Sequence, residues 1–464
     1  MGNLLKQLSK HGFTDDIIKS KIINIAKKQF KHETDEWVIH TLTAIKTDPT
    51  AFLQDERLAV LASLFNEETT VTVSEKFTLR PRPETFEYFG QNLIDEAAVH
   101  QMRKVMQLPV VDFGALMPDA HAGYGLPIGG VIATKNVVIP YAVGVDIGCR
   151  MALTIIDAPT SFLKAQAYKI EKAIKNNTHF GIEGSLAVKQ WHPVLDDDRF
   201  KSSDLLKKLQ GKAARQLGSS GTGNHFVEFG EVILDDNNGF GIKAGKYVGL
   251  LSHSGSRGLG AKIAEYFTRQ AVSVCQLPRE VSQLAWLNMD SDIGADYWQS
   301  MQLAGDYAEA CHEQIHKNLM TALGLKAITH IANHHNFAWK EYINGEEYIV
   351  HRKGATPAAK GIYGIIPGSM TSPAFIVSGK GNESSINSAS HGAGRYMSRN
   401  KAKLNITNSA LKKQVLNEGV TLIGGSVEES PDVYKNIHKV MNAQSDLVNI
   451  EGTFNPKIVR MYKE

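Results

Sequence analysis

The sequence predicts an α/β protein of the mixed α+β kind, with central β-sheets flanked by helices in one large domain after a helical N-terminal extension. Short apolar runs punctuated by glycine, such as residues 247–252, are typical of buried strands. Helical periodicity recurs over residues 261–274 and 296–323. Shorter strand-like runs occur at residues 131–133, 137–139 and 226–229. Because both kinds of element are mixed along the chain without a repeat of fixed period, we expect one mixed domain.

The N-terminal segment has a purely helical pattern. Apolar residues recur at helical spacings between residues 4 and about 66, at Ile17, Ile18, Ile22, Ile25, Val38, Leu42 and Ile45. The pattern changes after Pro81 and Pro83, so we expect a helical extension over residues 1–80 and a second domain over residues 85–464. Other positions carry lysines, namely Lys19, Lys21, Lys27, Lys28 and Lys31. These lysines form either a solvated helix face or a surface that contacts nucleic acid.

One β-hairpin can be predicted with its register. Asn344-Gly345 lies between two strand-like runs, which is the signature of a two-residue hairpin turn. Pairing of Ile343 with Glu346 then places His335 opposite Gly354. Counting the pairs in this way brings further basic side chains to the end of the hairpin opposite the turn. Arg352 is expected on the same face as His335, and His351 and Lys353 on the other face. Histidine, arginine and lysine are therefore expected at one rim.

Composition places the chain among folded proteins. Of 464 residues, 42% are hydrophobic and 21% are charged, which disfavours disordered, collagen-like and coiled-coil classes. The formal net charge of +3 is small, so any contact with nucleic acid would depend on a local basic patch. Three cysteines are too few for a disulfide framework and suit a reducing cytoplasm. No apolar stretch approaches the length of a membrane helix, so we expect neither secretion nor a membrane.

A short turn and several histidines predict a metal-centred active site. In Asp146-Ile147-Gly148-Cys149 a carboxylate and a thiol flank a glycine, a spacing that lets both face one ion. Histidines beside glycine or polar residues occur in Asn224-His225, His253-Ser254-Gly255, His334-His335-Asn336 and His391-Gly392-Ala393-Gly394. On a strand only one of His334 and His335 can face the pocket. Each residue alone could be structural, and only the set indicates a metal site.

Two arginines near these histidines suit phosphate chemistry. His391 is followed by Gly394 and Arg395, which combine a nitrogen nucleophile with open backbone and a fixed cation. A glycine-rich turn that merely needs positive φ angles would have the same sequence. Arg257, four residues after His253, could hold phosphate through paired hydrogen bonds. The sequence contains no G-x-x-x-x-G-K-[ST] run, so a P-loop nucleotide site is excluded.

The chain resembles the RtcB family of RNA ligases over about residues 85–464. Motifs that match the family in order lie at residues 117–121, 145–149, 221–228, 253–258, 335–336, 351–355, 367–370 and 390–395. The resemblance implies an RtcB-like catalytic domain. It also implies an enzyme that uses GTP and two manganese ions to join an RNA 3′-phosphate or 2′,3′-cyclic phosphate end to a 5′-hydroxyl end, in tRNA splicing or RNA repair.

The resemblance implies roles for individual residues. Cys149 is expected to bridge the two manganese ions, one of them held also by Asp146 and His225, the other by His253 and His335. His391 is expected to attack the α-phosphate of GTP and become guanylylated, with release of pyrophosphate. The GMP then moves to the RNA 3′-phosphate, and the 5′-hydroxyl of the second strand displaces it. A cyclic phosphate is first opened by metal-assisted hydrolysis.

The resemblance also implies contacts to the guanylate, and the chain differs from the family in three respects. The expected contacts are Asn224, Phe226, Glu228, Ser369, Ala393, Gly394, Tyr434 and Lys463. Lys463 stands for a terminal family lysine that contacts guanine, with Arg460 as a competitor. Arg150 departs from the family, which usually has glycine after the metal cysteine. The N-terminal extension has no counterpart in compact members, and the need for a helper protein is left open.

Two other function classes remain open. A two-metal RNA-end phosphoesterase would use Cys149 and the histidines without GTP, and His391 would have no covalent role. A non-catalytic RNA-binding relative would need no such convergence of ligands. Labelling of the chain by GTP distinguishes the ligase from the phosphoesterase, and RNA affinity without end joining would identify the third class.

Overall fold

The structure is a computed structural model that describes residues 2–66, apart from 14–18, 20, 21, 24, 27–29, 31, 32, 53 and 56, and residues 75–463, apart from 237. Helices and strands are both abundant, so the predicted mixed class is confirmed. The chain divides into two compact units, Met1–Val73 and Ser74–Glu464, a few residues before the boundary expected near residue 80. None of the helices described is long and apolar enough to cross a membrane.

The first unit contains the helices Gly2–Lys10, Asp35–Thr47 and Ala59–Asn66 and the 3₁₀ turn Thr50–Phe52. Thr34 caps the second helix by accepting the N–H of Trp37 at 3.2 Å. The apolar positions Ile22, Leu42 and Ile45 are fully buried, as their spacing predicts. Lys19 is also buried, which contradicts the predicted solvated or nucleic-acid-facing position, and its ammonium lies 3.3 Å from Ser9 Oγ. Ile17, Ile18, Lys21, Lys27, Lys28 and Lys31 fall outside the described residues.

An eight-stranded sheet forms the centre of the second unit. Its path runs through Ala327–His334, Arg150–Ile156, Gly245–Ser254, Phe226–Leu234, Val448–Met461, Ala374–Gly379 and Tyr363–Ile366, with Thr421–Ile423 parallel to Val448–Met461. The run predicted at residues 247–252 lies on this path, and all residues from 248 to 254 are buried. Neighbouring strands along the path are antiparallel, so the beginning of each strand lies beside the end of the next.

A second, five-stranded sheet contains the predicted hairpin. Its order is Asn336–Ile343, Glu346–Lys353, Ile128–Thr134, Val111–His121 and Glu87–Tyr88. Ile343 pairs with Glu346 and Asn336 with Lys353, so the predicted register is confirmed. Asn344 and Gly345 both have positive φ, at 52° and 83°, as a type I′ turn requires. Smaller strand pairs are Glu75–Lys76 with Cys275–Gln276, Leu287–Asn288 with Val137–Val138, and Ala355–Pro357 with Ser388–Ser390.

Helices flank these sheets. They are Glu96–Val105, Pro140–Val143, Ser161–Ala165, Ala167–Asn177, Asp204–Gln216, Arg257–Val274, Asp292–Leu323, Arg399–Asn405, Asn408–Asn417 and Ile437–Asn442. The 3₁₀ turns are Gln91–Leu93, Pro193–Asp196, Asp198–Lys201, Arg279–Leu284, Glu383–Ser385, Val427–Glu429 and Pro431–Val433.

The long helix Asp292–Leu323 is joined to the large sheet by buried hydrogen bonds. Ser252 Oγ lies 2.6 Å from His312 Nδ1 and 2.8 Å from His316 Nε2, and Thr154 Oγ1 lies 2.7 Å from His316 Nδ1. His312 Nε2 lies 3.2 Å from Ser254 O, which can only accept. Burial lowers the pKa of both histidines, so both rings are neutral, and each donor in the series then points towards Ser254.

Candidate active site

The Asp146–Cys149 turn connects the helix Pro140–Val143 to the strand Arg150–Ile156. Gly148 has a φ of +70°, and a Cβ there would lie 2.9 Å from Gly305 Cα in the long helix. Its N–H donates to Asn336 O at 2.8 Å, and Cys149 N donates to Asp146 O at 3.2 Å. Glycine is therefore needed for both the turn and the close approach of the helix.

Cys149 belongs to a first group of potential ligands with Asp146 and His225. His225 Nε2 lies 3.1 Å from Asp146 Oδ2 and 3.4 Å from Cys149 Sγ. The carboxylate fits against Gly255, where any Cβ would overlap it. The three ligand atoms lie within 4.8 Å of one another, a spacing at which they could hold one metal ion.

Cys149 also belongs to a second group, with His253 and His335. His253 Nε2 lies 3.2 Å from Cys149 Sγ and 3.3 Å from His335 Nε2. The other nitrogen of His253, Nδ1, donates a hydrogen bond to Asn224 O at 3.0 Å, so in the neutral ring Nε2 has the free lone pair. The sulfur of Cys149 is thus shared between the two groups.

Burial sets the protonation of this centre. Burial and the neighbouring His225 lower the pKa of His253 to about 3, and burial holds the pKa of His335 well below its ordinary value. Both imidazoles are therefore neutral, which is the form that binds a metal. Burial and the adjacent Asp146 raise the pKa of the Cys149 thiol well above its ordinary value. A thiolate at this place needs a cation to compensate its charge, so the donor set suits a metal.

His391 forms a separate pair with Asp119. His391 Nδ1 lies 2.6 Å from Asp119 Oδ2, and the backbone N–H of His391 donates to the same oxygen at 3.1 Å. Burial opposes ionisation of Asp119, but the hydrogen bond and charge of His391, with Lys435 and His121, hold its pKa below the ordinary value. A carboxylate oxygen only accepts, so the His391 Nδ1–H donates this hydrogen bond. The ring centroids of His391 and His335 are 5.0 Å apart.

One cavity contains the two ligand groups and His391. Its empty volume, measured out to the mouth of the cavity, is about 1400 Å³. Its walls include the five potential metal ligands and His391. They also include seven of the eight residues expected at the guanylate: Asn224, Phe226, Glu228, Ser369, Ala393, Gly394 and Tyr434. Glu228 is buried, and burial raises its pKa well above the ordinary value.

Lys463 does not belong to the described cavity wall. It is exposed, and its Cβ lies near Gly424, whose neighbour Gly425 donates to Tyr462 O at 3.1 Å. Arg460, the competitor, is engaged elsewhere, because its guanidinium donates to Ile174 O at 2.7 Å and lies 5.5 Å from the Phe180 ring. Neither side chain reaches the cavity in this conformation.

Two of the basic side chains expected at the hairpin rim also lie elsewhere. Arg352 is fully buried, donates to Ser388 Oγ and Ile386 O, and forms an ion pair with Glu341. His351 is buried and accepts the N–H of Ile139 at 2.9 Å. Both side chains are buried in the core, so neither reaches the expected rim. From this open end, His335 and Lys353 line the cavity.

Arg150 and Arg257 are also not among the described residues that line the cavity. Arg150 is buried, with Nη1 3.1 Å from Glu309 and Nη2 2.9 Å from His334 Nδ1. Arg257 donates through Nε to Ser219 Oγ at 3.1 Å and through Nη2 to Gly181 O, so these two donors hold neighbouring loops. His334 stacks on a tryptophan at an interplanar angle of 8° and is structural, as expected for one of two adjacent histidines.

Sequence reasoning missed part of this site. Asp119 lies in the family motif at residues 117–121, but the sequence pattern indicates no role for it, because its partner His391 is 272 positions away. Glu429 was also missed, although it is buried, lies 3.1 Å from Arg395 and 3.2 Å from Arg399, and accepts the hydroxyl of Tyr434. A buried glutamate beside two arginines leaves no signal in local sequence patterns.

Comparison with known proteins agrees with the motifs. The family model described as tRNA-splicing ligase RtcB matches residues 101–461. RNA-splicing ligase RtcB of Escherichia coli (strain K12) is 36% identical over 365 residues, 72% of this chain and 86% of the relative. The tRNA-splicing ligases RtcB of Nanoarchaeum equitans and Thermococcus kodakarensis are 31% and 26% identical, over 80% and 82% of this chain and 92% and 95% of their own lengths. The chain therefore belongs to the RtcB family.

Proposed function

We propose that this protein is a GTP-dependent RNA ligase that joins 3′-phosphate or 2′,3′-cyclic phosphate ends to 5′-hydroxyl ends. The observation that carries the proposal is the Asp119–His391 pair, which opens into the same cavity as the Cys149-centred ligand groups. A nucleophile and a phosphate-binding centre in one cavity are what guanylyl transfer needs. The relatives are named RNA-splicing and tRNA-splicing ligases, which supports the RNA-ligation part of the proposal.

We propose that the two groups hold two manganese ions. Asp146, Cys149 and His225 would hold one, and Cys149, His253 and His335 the other. When bound, such a pair polarises a phosphate and screens its negative charge. Thiolate and imidazole alone would also suit zinc, so manganese rests on the family, assisted by the carboxylate. The neutral histidines and the shared sulfur are consistent with two ions close together.

His391 would act as the nucleophile. Asp119 fixes its Nδ1–H, so the lone pair of Nε2 attacks the α-phosphorus of GTP, an N–P bond forms and pyrophosphate leaves. An oxygen of the RNA 3′-phosphate then takes the guanylyl group from Nε2. The 5′-hydroxyl oxygen of the other end finally attacks the activated 3′-phosphate, loses its proton and displaces GMP.

The guanylate would occupy the cavity beside His391. Asn224, Phe226 and Glu228 line one wall, and Ser369, Ala393, Gly394 and Tyr434 line others. A buried carboxyl such as that of Glu228 is suited to the N–H donors on the edge of guanine. Lys463 as a guanine contact stays a prediction that would require its exposed tail to move.

Three broader expectations remain proposals. Residues 85–464 would form the catalytic domain, and residues 1–80 would serve substrate choice or assembly. We also propose a helper protein that speeds turnover and a cytoplasmic location. Both proposals rest on the family alone and on no contact among the described residues.

The direct test is incubation with α-labelled GTP and manganese. Wild-type protein is expected to gain an acid-labile label, because the linkage is a phosphoramidate, and His391→Ala is expected to gain none. The exposed His100 provides a matched control, since His100→Ala removes an imidazole outside the cavity. Folded wild-type protein without label, or His391→Ala with equal label, would reject the mechanism. The phosphoesterase alternative predicts end processing without any label.

A further inference from the structure

Tyr124 is an exposed aromatic residue beside the cavity. It lies in the turn after the strand Val111–His121, three residues beyond His121, which lines the cavity. Three residues of chain span at most about 10 Å. The side chain is 80% exposed, so packing within the fold does not account for a large ring at this position.

The backbone of this turn is nevertheless fixed. Gly123 N donates to Gln101 Oε1 at 2.9 Å, and Gln101 Nε2 donates to Gly123 O at 2.5 Å. The ammonium of Lys353 donates to Tyr124 O. Gly125 has a φ of +70°, and a Cβ there would lie 2.7 Å from the ring of Tyr141. A fixed turn that presents a free ring gives up little conformational freedom when a ligand binds.

Lys353 gives the same surface a positive charge. Its Nζ lies 5.2 Å from the centroid of the Tyr141 ring, and its side chain lines the cavity. Val145 also lines the cavity, is 53% exposed and directly precedes Asp146 of the first ligand group. The surface therefore combines an exposed ring and a cation next to the centre where phosphate would react.

We propose that Tyr124 is a stacking platform for a base near the end of a single-stranded RNA, with Lys353 beside the phosphate backbone. The inference rests on the proposed function, because it places an RNA end in this cavity. Proteins bind single-stranded nucleic acid through cations along the backbone and aromatic rings under the bases. Every base has a π-face, so we expect a preference for unpaired ends and not for a sequence.

The test measures binding of a labelled 3′-phosphate RNA oligonucleotide without GTP. Tyr124→Ala is expected to weaken binding about tenfold, whereas Tyr124→Trp retains it, because stacking needs only an aromatic ring. The matched control is Tyr168→Ala, since Tyr168 is also 80% exposed but lies on the helix Ala167–Asn177. This control is expected to bind RNA as wild type does.

Oligonucleotides with one abasic site at each terminal position provide a second measurement. In wild type, one abasic position is expected to weaken binding as much as Tyr124→Ala does, and the two changes together are expected to add little. Equal binding by Tyr124→Ala and wild type, or fully additive losses at every position, would overturn the proposal. Absence of GTP labelling in wild type would reject the ligase mechanism and leave this binding result intact, so the two failures are distinguishable.

Discussion

Asp119 accepts two hydrogen bonds from His391, one from the ring at 2.6 Å and one from the backbone N–H at 3.1 Å. The carboxylate is fully buried, and Lys435 donates to the carbonyls on either side of it, at 3.2 Å to Pro118 and 2.7 Å to Ala120. Both the position and the tautomer of the imidazole are thereby fixed, which is how a carboxylate prepares a histidine for nucleophilic attack.

Replacement of Asp119 by asparagine should therefore slow guanylylation of His391. The variant keeps the shape of the side chain but no longer favours a proton on Nδ1, and loss of such an orienting carboxylate costs about 10² to 10⁴ in rate. The measurement is the single-turnover rate of labelling by GTP. Asp112→Asn is a control on the same strand, because Asp112 lies outside the described cavity wall. Equal rates for Asp119→Asn and wild type would contradict the prediction.

The shared sulfur predicts how many metal ions each variant binds. Cys149→Ala removes a ligand from both groups, whereas His225→Ala and His335→Ala each affect one. Loss of a residue that only hydrogen-bonds to a metal ligand weakens metal binding about 10- to 100-fold. Loss of the ligand Cys149 itself should therefore weaken metal binding at both sites by at least that much.

Elemental analysis after dialysis against manganese tests this stoichiometry. Two ions per chain are expected in wild type, one in His225→Ala and in His335→Ala, and fewer than one in Cys149→Ala. Cys275→Ala is the control, since Cys275 is buried in the small strand pair Glu75–Lys76 with Cys275–Gln276. A Cys149→Ala protein that retains two ions would disprove the sharing.

The local part of this site could be predicted from sequence, and the long-range part could not. The Asp146–Cys149 turn and the hairpin register follow from glycine positions and strand alternation, which are properties of short segments. Alternation does not say which face of a strand the core covers, so Arg352 was expected at the rim although it is buried. The pairing of Asp119 with His391 depends on tertiary packing and has no signature in spacing.

The buried histidines of the long helix predict a loss of stability in mild acid. Burial lowers the pKa of His316 to about 3, whereas an unfolded histidine titrates near 6.5. Below pH 6.5 His316 becomes protonated in the unfolded chain but stays neutral in the folded chain. The free energy of unfolding therefore decreases as the pH is lowered from about 6.5 to about 3. One such histidine contributes up to about 1.4 kcal/mol per pH unit in this window.

Urea denaturation at a series of pH values between 7 and 4 measures that slope. His316→Gln is expected to be less stable at pH 7, because Ser252 and Thr154 lose a shared partner, but its stability should depend less steeply on pH. His100→Gln, at an exposed position, should keep the wild-type slope. An unchanged slope in His316→Gln would show that other groups cause the acid sensitivity.

Arg150, which directly follows Cys149, is predicted to serve stability and not phosphate binding. Its guanidinium is buried between Glu309 and His334, and Arg150 is not part of the described cavity wall. Arg150→Ala should lower the free energy of unfolding by about 1–3 kcal/mol, because His334 loses its donor, while the half-exposed Glu309 recovers water. Glu309→Gln should cost less, since Arg150 keeps a neutral acceptor. The comparison requires urea denaturation together with the salt dependence of RNA binding. A change in that salt dependence in Arg150→Ala would mean that this arginine contacts phosphate after all.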